Sequence, residues 1–583
     1  MDPPRQRRQN PGGSVSRQEG TVGNIGEYFQ RQLTVRDKLL YRHFDGGEWR
    51  DVTAAAVAAC IGRWQAALRA LGLSPGDRVA ICLRNGVEWV ALDLAALGLG
   101  LVVVPLYVED NPDNIAWCVT DAEAHLLVVE GTKMANALRA TGSHLPPIYV
   151  LHADAGDATA TVASLLPTAA DEPQFRSLPE ATLATICYTS GTAGRPKGVM
   201  LSHGNIIANV TACEQTGMAR PTDLFLSILP LSHMFERTGG YYLPLSIGAR
   251  VVYARSVADL AEDLAAQAPD VIFGVPRIFE RFYARLDQAL AASLLKRWLF
   301  KQCVTRGWRV ESGQGGWLDR QATPLLRALV AKPVLARLGG RMRLAIVGGA
   351  ALDPQIAHTF IGLGLTMLQG YGMTEAAPVI SVNRENDNDP ESVGPPLPGI
   401  EVKLGEGGEL LARGGNVMLG YWRNDAATHA AIDADGWLHT GDVAEIRGGK
   451  IYIRGRIKDI LVMSNGEKLS PQDAEFALLH DPAFEQVMLV GEGRPFLTLL
   501  AVTKARDEET LIARANQQLK AFPRWVRIRH VIATPEAWSV DNGLLTPTLK
   551  LKRPLVLAKF KDAIDAVYGA EVAGGTGSAL HVA

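Results

Sequence analysis

At 583 residues the chain is too long for a single core, and at ~150 residues per domain its length suggests roughly four units. Hydrophobic residues make up 47% and charged residues 21%, as in ordinary globular proteins, and 59 Lys plus Arg against 61 Asp plus Glu exclude a polyelectrolyte and give no sign of a nucleic-acid partner. The six cysteines, Cys60, Cys82, Cys118, Cys187, Cys213 and Cys303, show neither CxxC spacing nor a dense cluster. That pattern favours reduced thiols in a cytoplasmic protein over a disulfide framework or a zinc site.

The opening MDPPRQRRQNPGGSVSRQEG is polar and rich in Pro, Gly and Arg; it lacks a signal peptide's apolar core and reads as a disordered leader over residues 1–20. From about Thr21 to Gly131 helix and strand patterns alternate: a helix over Thr53–Leu71, a strand over Arg78–Leu83 and another over Val102–Tyr107. Helices between short β-branched runs predict a parallel sheet covered on both faces. The longest apolar run, WVALDLAALGLGLVVVP from Trp89 to Pro105, carries Asp93, ends at a proline and falls short of the ~20 residues needed to span a bilayer, so it predicts a buried helix running into a buried strand.

A second series, from near Thr182, predicts strands at Leu226–Pro230, Arg250–Tyr253, Val271–Val275 and Leu344–Val347. Residues 287–343 read as mostly helical and basic, with Lys296, Arg297, Arg306, Arg309, Arg320, Arg327, Lys332 and Arg337. Such cationic helices suit anionic lipid, the phosphates of a cofactor, or simply a solvated amphipathic surface, and the sequence leaves all three open. From Gly399 to Tyr452 short strands with Gly turns predict a small β-structure, and an α+β unit follows to about Gly569. The expected divisions are thus 1–20, a large unit 21–456, a small unit 457–570, and a tail 571–583.

The most informative stretch is ICYTSGTAGRPKGVMLSHG, Ile186 to Gly204. A β-rich run enters a Thr/Ser/Gly loop, passes Lys197 and leaves towards a helix near His203. Small residues let backbone N–H groups approach phosphate oxygens, hydroxyls donate to them, and a lysine offsets their charge. It is not a Walker A loop, because Lys197 lies between Pro196 and Gly198, and this disfavours a P-loop kinase or ATPase.

YTSGTAGRPKGV resembles the signature loop of the ANL superfamily of adenylate-forming enzymes. The family's remaining motifs follow in its order: GYGMTE (Gly370–Glu375), DGWLHTGD (Asp435–Asp442), IRGRIKDILVMSNGEKLSP (Ile453–Pro471) and TPTLKLKR (Thr546–Arg553). The resemblance implies an α/β fold: a large N-terminal domain of two helix-covered sheets with a small β-barrel-like subdomain, then a small mobile α+β domain. It also implies ATP, Mg²⁺ and a thiol co-substrate.

Carried over position by position, Thr189, Ser190, Gly191, Thr192 and Lys197 are implied to hold the β- and γ-phosphates. Tyr371 is implied to lie against adenine, Thr374 near the α-phosphate, and Glu375, with Thr192, at Mg²⁺, where a carboxylate beside a hydroxyl suits a hard cation. Taken alone, Thr-Glu after a turn reads as a helix start. Gly349, in VGGA, belongs to the adenine-side backbone, a weak motif by itself. Asp442 is the acceptor of both ribose hydroxyls, Arg456 a nucleotide contact, and Lys458 the hinge, which rests on the resemblance alone. Lys550 is implied to be the catalytic lysine, touching carboxylate and phosphate as charge builds up between them. Lys552 competes for that role, because Leu549 replaces the usual glycine.

LPLSHMFERTGG (Leu229–Gly240) places His233 at the position bordering the acyl carboxylate. This segment, the stretch LARLGGRMRLAIVGGAAL and TPTLKLKR resemble long-chain fatty acyl-CoA synthetases more than acetyl-CoA synthetases or amino-acid adenylating domains. The latter would want an acidic pocket residue and usually adjoin a carrier domain, and none follows here. Gly466, in MSNGEKLSP, matches the glycine past which pantetheine runs, although SNG is also an ordinary turn. The resemblance thus implies a ligase joining a fatty acid to coenzyme A through an acyl-adenylate. The alternatives are a fatty acyl-AMP ligase that donates to a carrier protein, and a non-catalytic lipid- or nucleotide-binding protein on the same scaffold.

Overall fold

The computed structural model describes residues 23–154, 159–189, 195–291, 293–539, 542–546 and 551–572. The leader, the loop residues Ser190, Gly191 and Thr192, Lys550 and the last eleven residues lie outside them.

Two large sheets form the N-terminal part. The first has seven strands in the order Gly420–Tyr421, Lys197–Ser202, Leu183–Thr189, Val102–Pro105, Arg78–Cys82, Leu126–Gly131 and Ile148–His152. Its last five strands are parallel, as the alternating pattern predicted. The second runs Val379–Val382, Thr366–Gly372, Leu344–Val347, Val271–Gly274, Leu224–Ser227, Arg250–Tyr253, Leu39–Asp45 and Glu48–Thr53. The inner strands VVVP, VIFG and LAIV are buried at every position, which is why they read as unbroken apolar runs.

The apolar run with Asp93 folds as expected into helix Val87–Leu99 and strand Val102–Pro105. The helix is buried nearly all round, and residues of both sheets share its core. Asp93 is fully buried and pairs with equally buried Arg237, while Tyr241 and Tyr242 donate to its second oxygen at 3.1 and 3.0 Å. The Arg237 guanidinium also lies over the Trp89 ring, 5.3 Å from its centroid. A charge in a helix with no solvent face is tolerated because each carboxylate oxygen has a donor.

Boundaries moved in instructive ways. The helix expected over Thr53–Leu71 spans Ala54–Ala70, because Thr53 is its cap and accepts from Ala56 N–H at 3.2 Å. The strand expected at Leu226–Pro230 is Leu224–Ser227; the apolar character continues past the strand into a turn that lines the cleft. The helix expected near His203 begins at His203, with a strand between it and the phosphate loop. Lys197–Ser202 is an antiparallel strand against Leu183–Thr189, and Ser202 then caps helix His203–Glu214 in a reciprocal pair with Asn205.

The small β-structure is a four-stranded antiparallel sheet, Ile400–Leu404, Glu409–Gly414, Leu438–Arg447 and Lys450–Arg456, with its first and last strands at the edges. The C-terminal unit is a three-stranded sheet, Gln486–Val490, Leu497–Val502 and Ile528–Thr534, with a separate apolar core on each face.

Candidate active site

The parallel strands of the two sheets deliver their C-terminal ends to one continuous cleft of 2870 Å³. That is more than one small ligand requires, and strand ends of this kind are where open α/β sheets bind ligands. Thr189 ends one strand and Lys197 begins its antiparallel neighbour, directly paired with it in register. Tyr371 lies near the end of strand Thr366–Gly372, and Gly349 follows strand Leu344–Val347 in the left-handed region, at φ +83°. Each of these four lines the cleft, as do His233, Thr374, Glu375, Asp442, Arg456 and Lys458.

Two polar groupings organise it. In the first, Asp442 is buried within strand Leu438–Arg447, directly after Gly441 at φ +71°. One of its oxygens accepts the Tyr371 hydroxyl and the other accepts Arg456 Nε at 3.1 Å. Burial, then the neighbouring Asp442 carboxylate, push the Tyr371 phenol well above its usual pKa, so it remains a donor. Glu409 braces this part of the strand, accepting Gly441 N–H at 2.9 Å and standing 2.9 Å from His439 Nδ1.

In the second, Glu375 is buried in a short helical turn, Thr374–Ala376, and accepts the Tyr421 hydroxyl at 2.8 Å. The ammonium of Lys197 lies over the same Tyr421 ring, 4.8 Å from its centroid. Tyr421 therefore links the lysine of the phosphate loop to the carboxylate of GYGMTE. Its phenol is also held protonated, by burial first and then by Glu375. Sequence reading missed Tyr421, which is 46 residues beyond Glu375 and enters the cleft only because Gly420–Tyr421 pairs with Lys197–Ser202.

Across the cleft, His233 caps a short helix, its Nδ1 accepting Phe235 N–H at 3.2 Å. The turn before it is held by Asn85, another residue without a sequence signal. Asn85 donates to Leu229 O at 2.7 Å and accepts Leu231 N–H at 2.9 Å. The chain then continues into a π-helical turn, Arg237–Tyr242, anchored by the Arg237–Asp93 pair. The lining of the cleft also includes the apolar side chains Phe225, Phe273, Leu344, Ile346 and Val382, on the side of Phe235, two residues after His233, whose ring stands 5.6 Å from that of Phe273.

Three further residues named from the sequence lie at or outside the cleft's edge. Gly466 does not line the cleft; it is an exposed turn residue at φ +85°, with open space where a side chain would be. Lys458 is exposed in the helical turn Ile457–Asp459, next to the strand that ends at Arg456. Lys552 borders the cleft, and its neighbour Arg553 is committed to Glu475 at 2.7 Å and to Leu489 O at 2.8 Å.

The profile of the AMP-binding enzyme family matches residues 29–422, and that of the AMP-binding enzyme C-terminal domain matches 458–572. The chain belongs to the AMP-binding enzyme family. Among curated relatives, the long-chain-fatty-acid–CoA ligase FadD15 of Mycobacterium bovis is 31% identical, with 93% of this chain and 96% of that protein covered. Human long-chain-fatty-acid–CoA ligase 1 is 30% identical over 89% of this chain and 82% of its own length. The long-chain-fatty-acid–[acyl-carrier-protein] ligase AEE15 of Arabidopsis thaliana is 26% identical over 86% of this chain and 80% of its own. Family membership accords with the α/β architecture. In fold the chain matches the anthranilate CoA ligase AuaEII in complex with anthranoyl-AMP, at TM-score 0.73 and 20% identity, covering 93% of this chain and 98% of that one.

Proposed function

We propose that the protein activates a long-chain fatty acid with ATP to acyl-AMP and pyrophosphate, then transfers the acyl group to the thiol of coenzyme A with release of AMP. The observation that carries this reading is that one cleft is lined by the apolar group Phe225, Phe273, Leu344, Ile346 and Val382 as well as by His233 and the Tyr371–Asp442–Arg456 and Glu375–Tyr421–Lys197 groupings. An acyl chain laid against the apolar group would bring its carboxylate towards His233 and the phosphate side. The two oxygens of Asp442 suit paired ribose hydroxyls, Tyr371 offers a ring for adenine, and Lys197 offsets phosphate charge.

Mg²⁺ usually takes one or two carboxylates together with substrate phosphates and retained waters. Glu375 fits that demand, with one oxygen already oriented by Tyr421. It would hold the ion alongside Thr192, and the ion's chemistry is to neutralise phosphate charge. Lys550 is assigned to the build-up of charge between carboxylate and α-phosphate, Lys458 to the hinge about which residues 457–570 turn, and Gly466 to the path of pantetheine. All six cysteines are unpaired, which supports a reducing compartment such as the cytoplasm. Among the described residues no helix is long and apolar enough to cross a membrane.

The test is pyrophosphate release against acid length with coenzyme A present. Turnover should rise towards long acids and require the thiol. If acid-dependent ATP–pyrophosphate exchange is absent with every acid from acetate to oleate, the protein is a non-catalytic binder on this scaffold. If exchange is normal but only a phosphopantetheinylated carrier accepts the acyl group, the carrier-protein reading suggested by AEE15 replaces coenzyme A. Lys550→Ala should abolish exchange yet leave thioester formation from supplied acyl-AMP largely intact; equal loss in both half-reactions would remove Lys550 from its assigned role.

A further inference from the structure

The six most exposed large hydrophobic side chains among the described residues all lie within one stretch of helices. They are Leu294, Trp317, Leu318, Leu295, Leu329 and Leu325, each 64–84% exposed. Helix Leu294–Glu311 packs on helix Pro354–Leu363 through a close crossing at Gly307, where an added Cβ would stand 1.9 Å from Gly362 O. Its inner face also carries buried Cys303, which packs with Ala331 of the neighbouring helical segment.

Leu294 and Trp298, four residues apart, fall on the opposite face with Lys301. Leu318, Leu325 and Leu329, at spacings of seven and four, form a second outward stripe along Trp317–Leu326 and the turn that continues it. Neither stripe is covered by any part of the described chain.

Charge is concentrated on the same helices. Residues 294–337 hold nine Lys or Arg and only two carboxylates, Glu311 and Asp319, in a chain whose overall charge is −2. Both carboxylates are engaged, by Arg327 at 2.9 Å and Arg306 at 3.2 Å. Lys296, Arg297, Lys301, Arg309, Arg320 and Lys332 are exposed and form no ion pair among the described residues. A solvated surface helix carries charge without large apolar side chains beside it; a helix at a lipid interface carries both.

We propose that the outer faces of Leu294–Glu311 and Trp317–Leu326 form a docking surface for an anionic phospholipid bilayer. Trp298, Trp317 and the leucines enter the headgroup region and the cations meet lipid phosphates. The surface is continuous in sequence with helix Pro276–Ala291, whose Phe282 and Tyr283 line the cleft, so docking sets the membrane near the cleft's wall. The assignment stands whether or not the acid is long-chain.

Flotation of the full chain with vesicles tests it. With phosphatidylglycerol and phosphatidylcholine in equal parts the protein should float, and with phosphatidylcholine alone, or with raised salt, recovery should fall by at least about tenfold. A variant combining Trp298→Ser, Leu325→Ser and Leu329→Ser, and another combining Lys296→Gln, Arg297→Gln, Lys301→Gln and Arg320→Gln, should each lose flotation while thioester formation from a short soluble acid persists. Wild-type protein that stays in solution with anionic vesicles, or variants that float as it does, would overturn the proposal. So would a concentration-dependent dimer in sedimentation that the triple variant dissolves without any vesicle binding, because the face would then belong to a second copy of the chain.

Discussion

Tyr421→Phe removes a single hydroxyl from the polar framework of the cleft. The ring remains, so Lys197 keeps its aromatic partner at 4.8 Å, while buried Glu375 loses the donor that holds one oxygen at 2.8 Å. A hydrogen bond to a charged group contributes about 1.5–3 kcal/mol, or about 10- to 150-fold at 1.4 kcal/mol per decade. The loss should therefore appear as a fall of about that size in acid-dependent ATP–pyrophosphate exchange at limiting Mg²⁺, relieved in part as Mg²⁺ is raised. Tyr421→Leu also removes the cation–π contact, which contributes about 0.5–1 kcal/mol at an exposed site, and should lose about 2- to 5-fold more. Melting curves recorded beside the exchange assay separate lost chemistry from lost fold. Phe at wild-type rates across the Mg²⁺ range, or Leu no worse than Phe, would refute the bridging role of Tyr421.

Asp93→Asn should leave the Arg237 charge buried without a counter-ion and cost about 3–5 kcal/mol, read as a lower urea midpoint with an unchanged slope. Gly307→Ala must spread two helices that now touch through Gly362 O; about 1–3 kcal/mol of destabilisation by thermal unfolding, with exchange per folded molecule unchanged, is expected. His480 Nε2 lies 2.7 Å from Asp353 Oδ2, joining the C-terminal unit to helix Pro354–Leu363. The Asp353 hydrogen bond, opposed by burial, raises the imidazole pKa above 6.5. Its contribution is then complete below pH 6.5 and lost as pH rises through the elevated value, so the Tm difference between wild type and His480→Gln should shrink towards alkaline pH.

Much of the fold was legible because the inner strands are short, β-branched and buried on both faces, leaving unbroken apolar runs between helical patterns. The same signal failed at Leu224–Ser227, where the residues after the strand remain apolar because they wall the cleft. In the site, motif residues such as Asp442, Glu375 and Lys197 could be named from sequence because each sits in a contiguous string. Tyr421, Asn85 and Glu409 could not, since each acts on a partner 30 or more residues away through strand pairing or a turn that no local pattern encodes. Arg237 lies within the contiguous string LPLSHMFERTGG, but its tie to Asp93, 144 residues earlier, required the two sheets to be assembled first.

Asp442 enters any encounter with a nucleotide already occupied, by the Tyr371 hydroxyl on one oxygen and Arg456 on the other. A carboxylate offers about four lone-pair sites, so a ribose diol reaching Asp442 would add its donors beside the two already there and displace neither. The carboxylate is held in one orientation before any ligand arrives, so the ordering cost of that contact is met in the fold and not at binding. Tyr371→Phe keeps the ring but frees one oxygen of that restraint, and it should weaken AMP binding measured by calorimetry.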